Sequence, residues 1–204
     1  GLLLGGGLFV VGAAVALALG RAEISPEARR FAEQIVGLIQ RGPTWAAVLI
    51  LAIMPAVCEE LLFRGWVLSA FAGPRPTRRR ALIAVVVQAA AFAAFHLLPE
   101  RMPQTFVMGL ALGGLVLATG SIVPAIVAHA AHNATPVLLV ATASEADLAA
   151  VDPAASALPP WSVAMAIGCL AVGSLLVNAA RRRATKGGSW MDELHAAADG
   201  SPVS

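Results

Sequence analysis

The sequence predicts an all-α protein, a polytopic bundle of about six transmembrane helices. Three observations carry that prediction. Of the 204 residues, 58% are hydrophobic and only 13% are charged. The mean hydropathy is +0.79, far above that of a water-soluble domain. The apolar residues fall into six runs separated by polar or basic turns, most long enough to approach the roughly 20 residues a bilayer requires.

The first run is 2–20, Gly-rich at its start, which suits close helix packing in lipid. It is read as a span and not as a signal peptide, because no basic segment precedes it and further spans follow. Residues 21–44 are polar. Within them Ser25-Pro26-Glu27 has the form of a helix start, and Phe31, Ile35, Val36, Leu38 and Ile39 give the helix an apolar face suited to the membrane surface. The second run extends from Trp45 to about Phe71 with Pro55 inside it, where the missing N–H should kink the helix and free a carbonyl. The basic loop AGPRPTRRR, 72–80, leads to the third run, 81–98. Residues 99–105 form a short loop between two prolines. The fourth run, 106–119, carries Gly109 and Gly113 four apart as a packing face. Gly120-Ser121 turns the chain into the fifth run, which Pro124 opens and which ends near Val140. After a mildly acidic loop, Trp161–Ala179 is the sixth.

Residues 1–186 are thus expected to form one membrane domain, and 187–204 a weakly ordered soluble tail. The cysteines Cys58 and Cys169 both lie in apolar stretches and suggest neither a disulfide nor a thiolate metal site. The formal charge of +2 is small. Its positive clusters, Arg75 to Arg80 and Arg181 to Lys186, are explained by membrane orientation and not by nucleic acid. They place both loops on the cytoplasmic side of a cell (inner) membrane.

Against this apolar background three polar clusters stand out, since ionisable groups at membrane depth are costly and usually functional. The first is Glu59, Glu60 and Arg64. On one helix Glu60 and Arg64 are four apart and share a face, so Arg64 can neutralise Glu60. Glu59 points about 100° away and needs a different partner. The second cluster is His96, preceded by Phe92 and Phe95. The third is His129, His132 and Asn133, with His129 and Asn133 one turn apart. A carboxylate and two imidazoles can hold a water and take its proton as its oxygen attacks a carbonyl. An amide such as Asn133 can donate to the oxyanion that develops. Peptide hydrolysis then needs no serine or cysteine nucleophile. Two histidines and a glutamate also make a catalytic zinc set, here Glu59, His96 and His129. The usual zincin pattern on one helix is absent.

Plainer roles are open to each residue. Glu60 and Arg64 can lock helices together, His96 can face headgroups at a helix end, His132 can pack, and Asn133 can bridge helices. The clusters can also form a proton or ion relay or belong to a scaffold, although a transporter should show repeated broken spans and none is apparent.

The clusters read EELLFR (59–64), FAAFH (92–96) and HAAHN (129–133). In order and spacing they match EExxxR, FxxxH and HxxxN, and the chain resembles the CPBP family of intramembrane proteases, the CAAX protease and bacteriocin-processing family. The resemblance covers 59–133 and implies a helical CAAX-protease-like core and an endopeptidase acting on membrane-associated or lipid-modified peptides or proteins. It implies that Glu59 and His96 activate water, that His129 and Asn133 stabilise the oxyanion, and that Glu60 and Arg64 support the site. His132 lies outside the motif. The family is often described as metalloproteases, yet the favoured mechanism is glutamate-dependent and uses no metal, so no cofactor is expected and zinc is the alternative. One tension remains within this reading. Glu59 lies 14 residues beyond Trp45, roughly 21 Å into the second span, whereas His96 lies near the end of the third.

Overall fold

The computed structural model describes residues 2–18, 26–73, 76–144 and 146, with 171, 173, 175 and 178. The expected sixth span, the second arginine cluster and the tail at 187–204 fall almost wholly outside the described residues. Every regular element among the described residues is helical: α1 (Leu2–Ala18), α2 (Pro26–Arg41), α3 (Thr44–Ala72), α4 (Arg78–Phe95), α5 (Met102–Thr119) and α6 (Val123–Thr142), with a 3-10 turn at Pro99–Arg101.

Helices α3, α5 and α6 are long and apolar enough to cross a membrane. Only 28% of the most apolar stretch of α3, and 33% of that of α5, is buried within the chain. The remainder presents side chains such as Leu49, Ile50, Leu61 and Leu117 outward, a surface that suits hydrocarbon and not water. The protein is a membrane protein. Helix α4 opens on Arg78, Arg79 and Arg80, which leaves it a shorter apolar stretch than the expected third span. Its start is capped by Thr77, whose Oγ1 accepts from the Arg80 backbone N–H at 3.3 Å. Arg80 Nε also donates to the Phe71 carbonyl at 2.9 Å, tying the end of α3 to α4.

Helix α2 is amphipathic, but its apolar face is divided. Ile39 is buried against Ala47 of α3 and Val137 of α6, with Ile35 beside it, while Phe31 and Leu38 remain exposed. Half of the face expected to lie on the membrane is thus used to dock α2 onto the bundle.

Helix α5 begins at Met102, four residues before the expected start. Pro103 stands in its first turn, where a missing N–H costs nothing; the proline starts the helix and does not bound a loop. Gly120, at φ +66°, ends it. Helices α4 and α5 form an antiparallel pair of unusually close approach. A Cβ on Gly109 would lie 2.9 Å from Ala89 Cα, and one on Gly113 would lie 2.5 Å from Gln88 Nε2. The largest core cluster joins Phe63 of α3, Phe92 of α4, Met108 and Leu112 of α5, and Ala128 of α6.

The backbone of α3 is not uniform. Leu49–Ile53 and Leu61–Leu68 are π-helical, and they bracket the α-helical turn Met54–Glu60. The first wide stretch directly precedes Pro55, with the Met54 N–H donating to the Leu49 carbonyl. Widening accommodates the missing donor of Pro55, and such bulges recur at functional sites.

Candidate active site

The wide turn at 61–68 carries Arg64 beneath the preceding glutamates. Arg64 Nη1 donates to Glu60 Oε1 at 2.7 Å, and both side chains are fully buried. The guanidinium carbon lies 4.5 Å from the centre of the Phe92 ring, close enough for a cation–π contact. A third element sets its far side. Gln88 Nε2 donates to the Gly109 carbonyl at 2.7 Å and to the Val85 carbonyl at 3.0 Å, while Arg64 Nη2 reaches Gly109 O at 3.5 Å.

His129 of α6 enters from the other side. Its Nδ1 is 2.7 Å from Glu60 Oε1, and its Nε2 is 3.7 Å from Glu59 Oε2. Because Oε1 already accepts from Arg64, Nδ1 is the donor, and Nε2 is left to face Glu59. The single ring therefore connects the adjacent glutamates. Glu59 makes no hydrogen bond to Arg64, and its Oε2 has no hydrogen-bond partner among the described residues although that atom is buried.

His96 caps the C-terminal end of α4. Its Nδ1 is 2.8 Å from the Phe92 carbonyl. A carbonyl only accepts, so Nδ1 carries the proton and Nε2 of the neutral ring is an acceptor. Phe92 also packs edge-on against the rings of His96 and His129, at 4.8 and 5.7 Å between centroids.

These groups meet at one cavity of about 100 Å³. Glu59, His96, His129, His132 and Asn133 line it, together with Arg101, Gln104, Thr105 and Met108 from the start of α5. Glu60 and Arg64 lie behind it. Asn133 is half-buried, one turn beyond His129, with its amide free of protein partners among the described residues. His132 is buried, touches the edge of Phe9 of α1 and leaves Nδ1 without a partner.

The depth tension is resolved by the α4–α5 hairpin. His96 and Arg101, on either side of its tip, share the cavity with Glu59. The hairpin therefore ends level with Glu59, and the first half of α3 stands beyond it.

The zinc set fares differently. Among the described residues no three His, Cys, Asp or Glu side chains gather closely enough to hold a metal ion. Glu59, His96 and His129 share a cavity but do not fit a ligand cluster.

Four participants escaped the sequence reading: Gln88, Arg101, Gln104 and the carbonyl of Gly109. Gln88 was findable, as a polar residue in an apolar run eight positions before His96. The Gly109 carbonyl leaves no mark in a sequence.

Residues 41–135 match the model of a family described as type II CAAX prenyl endopeptidase, Rce1-like. The matched segment resembles the Rce1-like family over somewhat less than half of the chain. All three polar clusters lie within that segment. No curated protein and no solved structure matches the chain. Of the Rce1-like segment's ionisable and amide side chains, those around the cavity come from α3, α4, α5 and α6, so the site exists only once the bundle is assembled.

Proposed function

We propose that the protein is an intramembrane endopeptidase that hydrolyses peptide bonds with a water activated by Glu59. Its substrates are membrane-associated or lipid-modified peptides or proteins. The observation that carries this reading is the contrast between adjacent glutamates. Glu60 is fully buried and held through Oε1 by Arg64 and His129, whereas Glu59 makes no hydrogen bond among the described residues and lines a polar cavity with room for a few waters.

In this mechanism the water gives one hydrogen to Glu59 and the other to Nε2 of His96, both acceptors. Glu59 takes the proton as the water oxygen bonds to the scissile carbonyl carbon. The carbonyl oxygen gains the electron pair and becomes the oxyanion, which the Asn133 amide stabilises. His129 donates Nδ1–H to Glu60 and is thereby held at the cavity wall one turn from Asn133. When the tetrahedral intermediate collapses, the C–N bond breaks and the proton held by Glu59 passes to the leaving amine. Buried Glu60 orients His129 in the way a carboxylate orients the imidazole of a hydrolytic triad.

The same reading puts the protein in the cell inner membrane with several spans and with Arg78–Arg80 cytoplasmic, supported by the positive-inside bias. Glu59→Gln tests the chemistry. It keeps the size of the side chain and removes the base. Cleavage of a membrane-peptide substrate should fall by at least ~10²-fold, the usual worth of a general base, with thermal stability retained. Undiminished cleavage by that variant would remove Glu59 from the mechanism.

A further inference from the structure

The mechanism leaves the far wall of the cavity unexplained. Among its lining residues Arg101 is the sole arginine or lysine. It is exposed, and its guanidinium has no ion pair or hydrogen bond among the described residues; its backbone alone is used, the N–H donating to the Leu98 carbonyl at 2.9 Å and the carbonyl accepting from Thr105 Oγ1 at 2.9 Å. Gln104, three positions on and on the same helical face, is half-buried with its amide equally unpartnered. That amide is held in place by α1. A Cβ on Gly12 would lie 3.0–3.1 Å from Gln104 Cγ, Cδ and Nε2, so a larger residue at 12 would push the amide away. Both side chains stand at the N-terminal end of α5, an 18-residue helix whose dipole adds positive potential there.

We infer that Arg101 and Gln104 bind a carboxylate of the peptide substrate and thereby set which peptides enter the site. A planar guanidinium fork beside an amide N–H matches the two oxygens of a carboxylate. Glu59 lines the same cavity, so an anion is drawn to Arg101 and repelled from the base. The inference rests on the proteolytic reading for its substrate and concerns specificity, not bond cleavage. The carboxylate comes from the C-terminus of the peptide or from an acidic side chain.

The test uses the full chain in nanodiscs of phosphatidylcholine. Fluorescent peptides of one sequence are compared as the C-terminal acid, the C-terminal amide, and the amide with one Glu introduced at successive positions. Binding is read by polarisation on the Glu59→Gln protein, and KM and kcat are read on the unsubstituted protein. A peptide carrying the recognised carboxylate should bind at least ~10-fold more tightly than the plain amide, the worth of one charged hydrogen bond, with the difference in KM and not in kcat. Whether the acid or one Glu-bearing amide carries the preference identifies the source. In Arg101→Gln the preference should collapse, and in Gly12→Val it should shrink as Gln104 is displaced. Equal binding of every peptide, or a preference that survives Arg101→Gln, overturns the inference. So does a result in which Arg101→Gln alters only the response to added phosphatidylglycerol, which would assign the guanidinium to a lipid phosphate. Carboxylate-dependent binding without any cleavage would instead overturn the proteolytic reading and leave the binding site standing.

Discussion

Replacing Glu60 by Gln should unfold the site from behind. Glu60 Oε1 accepts from Arg64 Nη1 and from His129 Nδ1, each at 2.7 Å, in a fully buried setting. Glutamine keeps one acceptor oxygen but loses the charge, and its NH₂ turns to the place where Oε2 is buried without a partner. Breaking one side of a buried ion pair costs about 3–5 kcal/mol. The retained acceptor puts Glu60→Gln near the lower figure, about a hundredfold in the folding equilibrium. The double change Glu60→Leu with Arg64→Met should recover part of that loss, the buried His129 Nδ1–H still lacking its acceptor. The native pair already leaves Glu60 Oε2 and Arg64 Nε unsatisfied, and well-packed apolar replacements of a buried pair are often neutral. Denaturant titration in detergent, followed by tryptophan fluorescence, compares these proteins with Glu59→Gln, in which the carboxylate lost makes no hydrogen bond among the described residues. If Glu60→Gln unfolds at the same denaturant concentration as Glu59→Gln, the buried pair does not organise the site and the division of labour between the glutamates is wrong.

Three further outcomes follow from the geometry. Gly113→Ala should destabilise by about 1–3 kcal/mol, read by the same titration, because its Cβ would meet Gln88 Nε2 at 2.5 Å and push apart α4 and α5; unchanged stability would mean that the pair can separate freely. A cysteine at Arg79 should be labelled from the cytoplasmic side in inverted vesicles, and labelling from the opposite face would reverse the proposed orientation. Activity should persist after exhaustive chelation in a sample verified by metal analysis; loss of activity with stoichiometric zinc, restored by adding zinc, would replace the glutamate-activated water with a metal-bound one.

Much of the bundle was legible because lipid imposes simple rules: apolar runs, basic loops, and few ionisable groups. The Glu60–Arg64 pair followed from a spacing of four. The contact of His129 with Glu60 did not. The neighbouring glutamates lie about 100° apart on the α-helical turn Met54–Glu60, as expected, but an imidazole has two nitrogens with which to reach both carboxylates. The start of α5 was misplaced because Pro103 serves equally as a loop residue and as a first-turn residue, and only packing against α1 decides. The carbonyl of Gly109 and the free faces of Arg101 and Gln104 depend on which helices become neighbours, which no local pattern encodes.

The short α4–α5 hairpin has a consequence for the bilayer itself. From Thr44 to Glu59 the long helix α3 rises ~22 Å, and the hairpin stops level with Glu59. Acyl chains lying against that step would meet Pro99 and the exposed Arg101 where hydrocarbon should continue. Mismatch costs fractions of a kcal/mol per Å, so thinning the membrane over the whole step would cost several kcal/mol. Admitting water into the notch satisfies the polar chain ends without that deformation. In the proposed hydrolysis the membrane around the protein would then be indented on one side, and the bond to be cut would be reached through water and not through lipid.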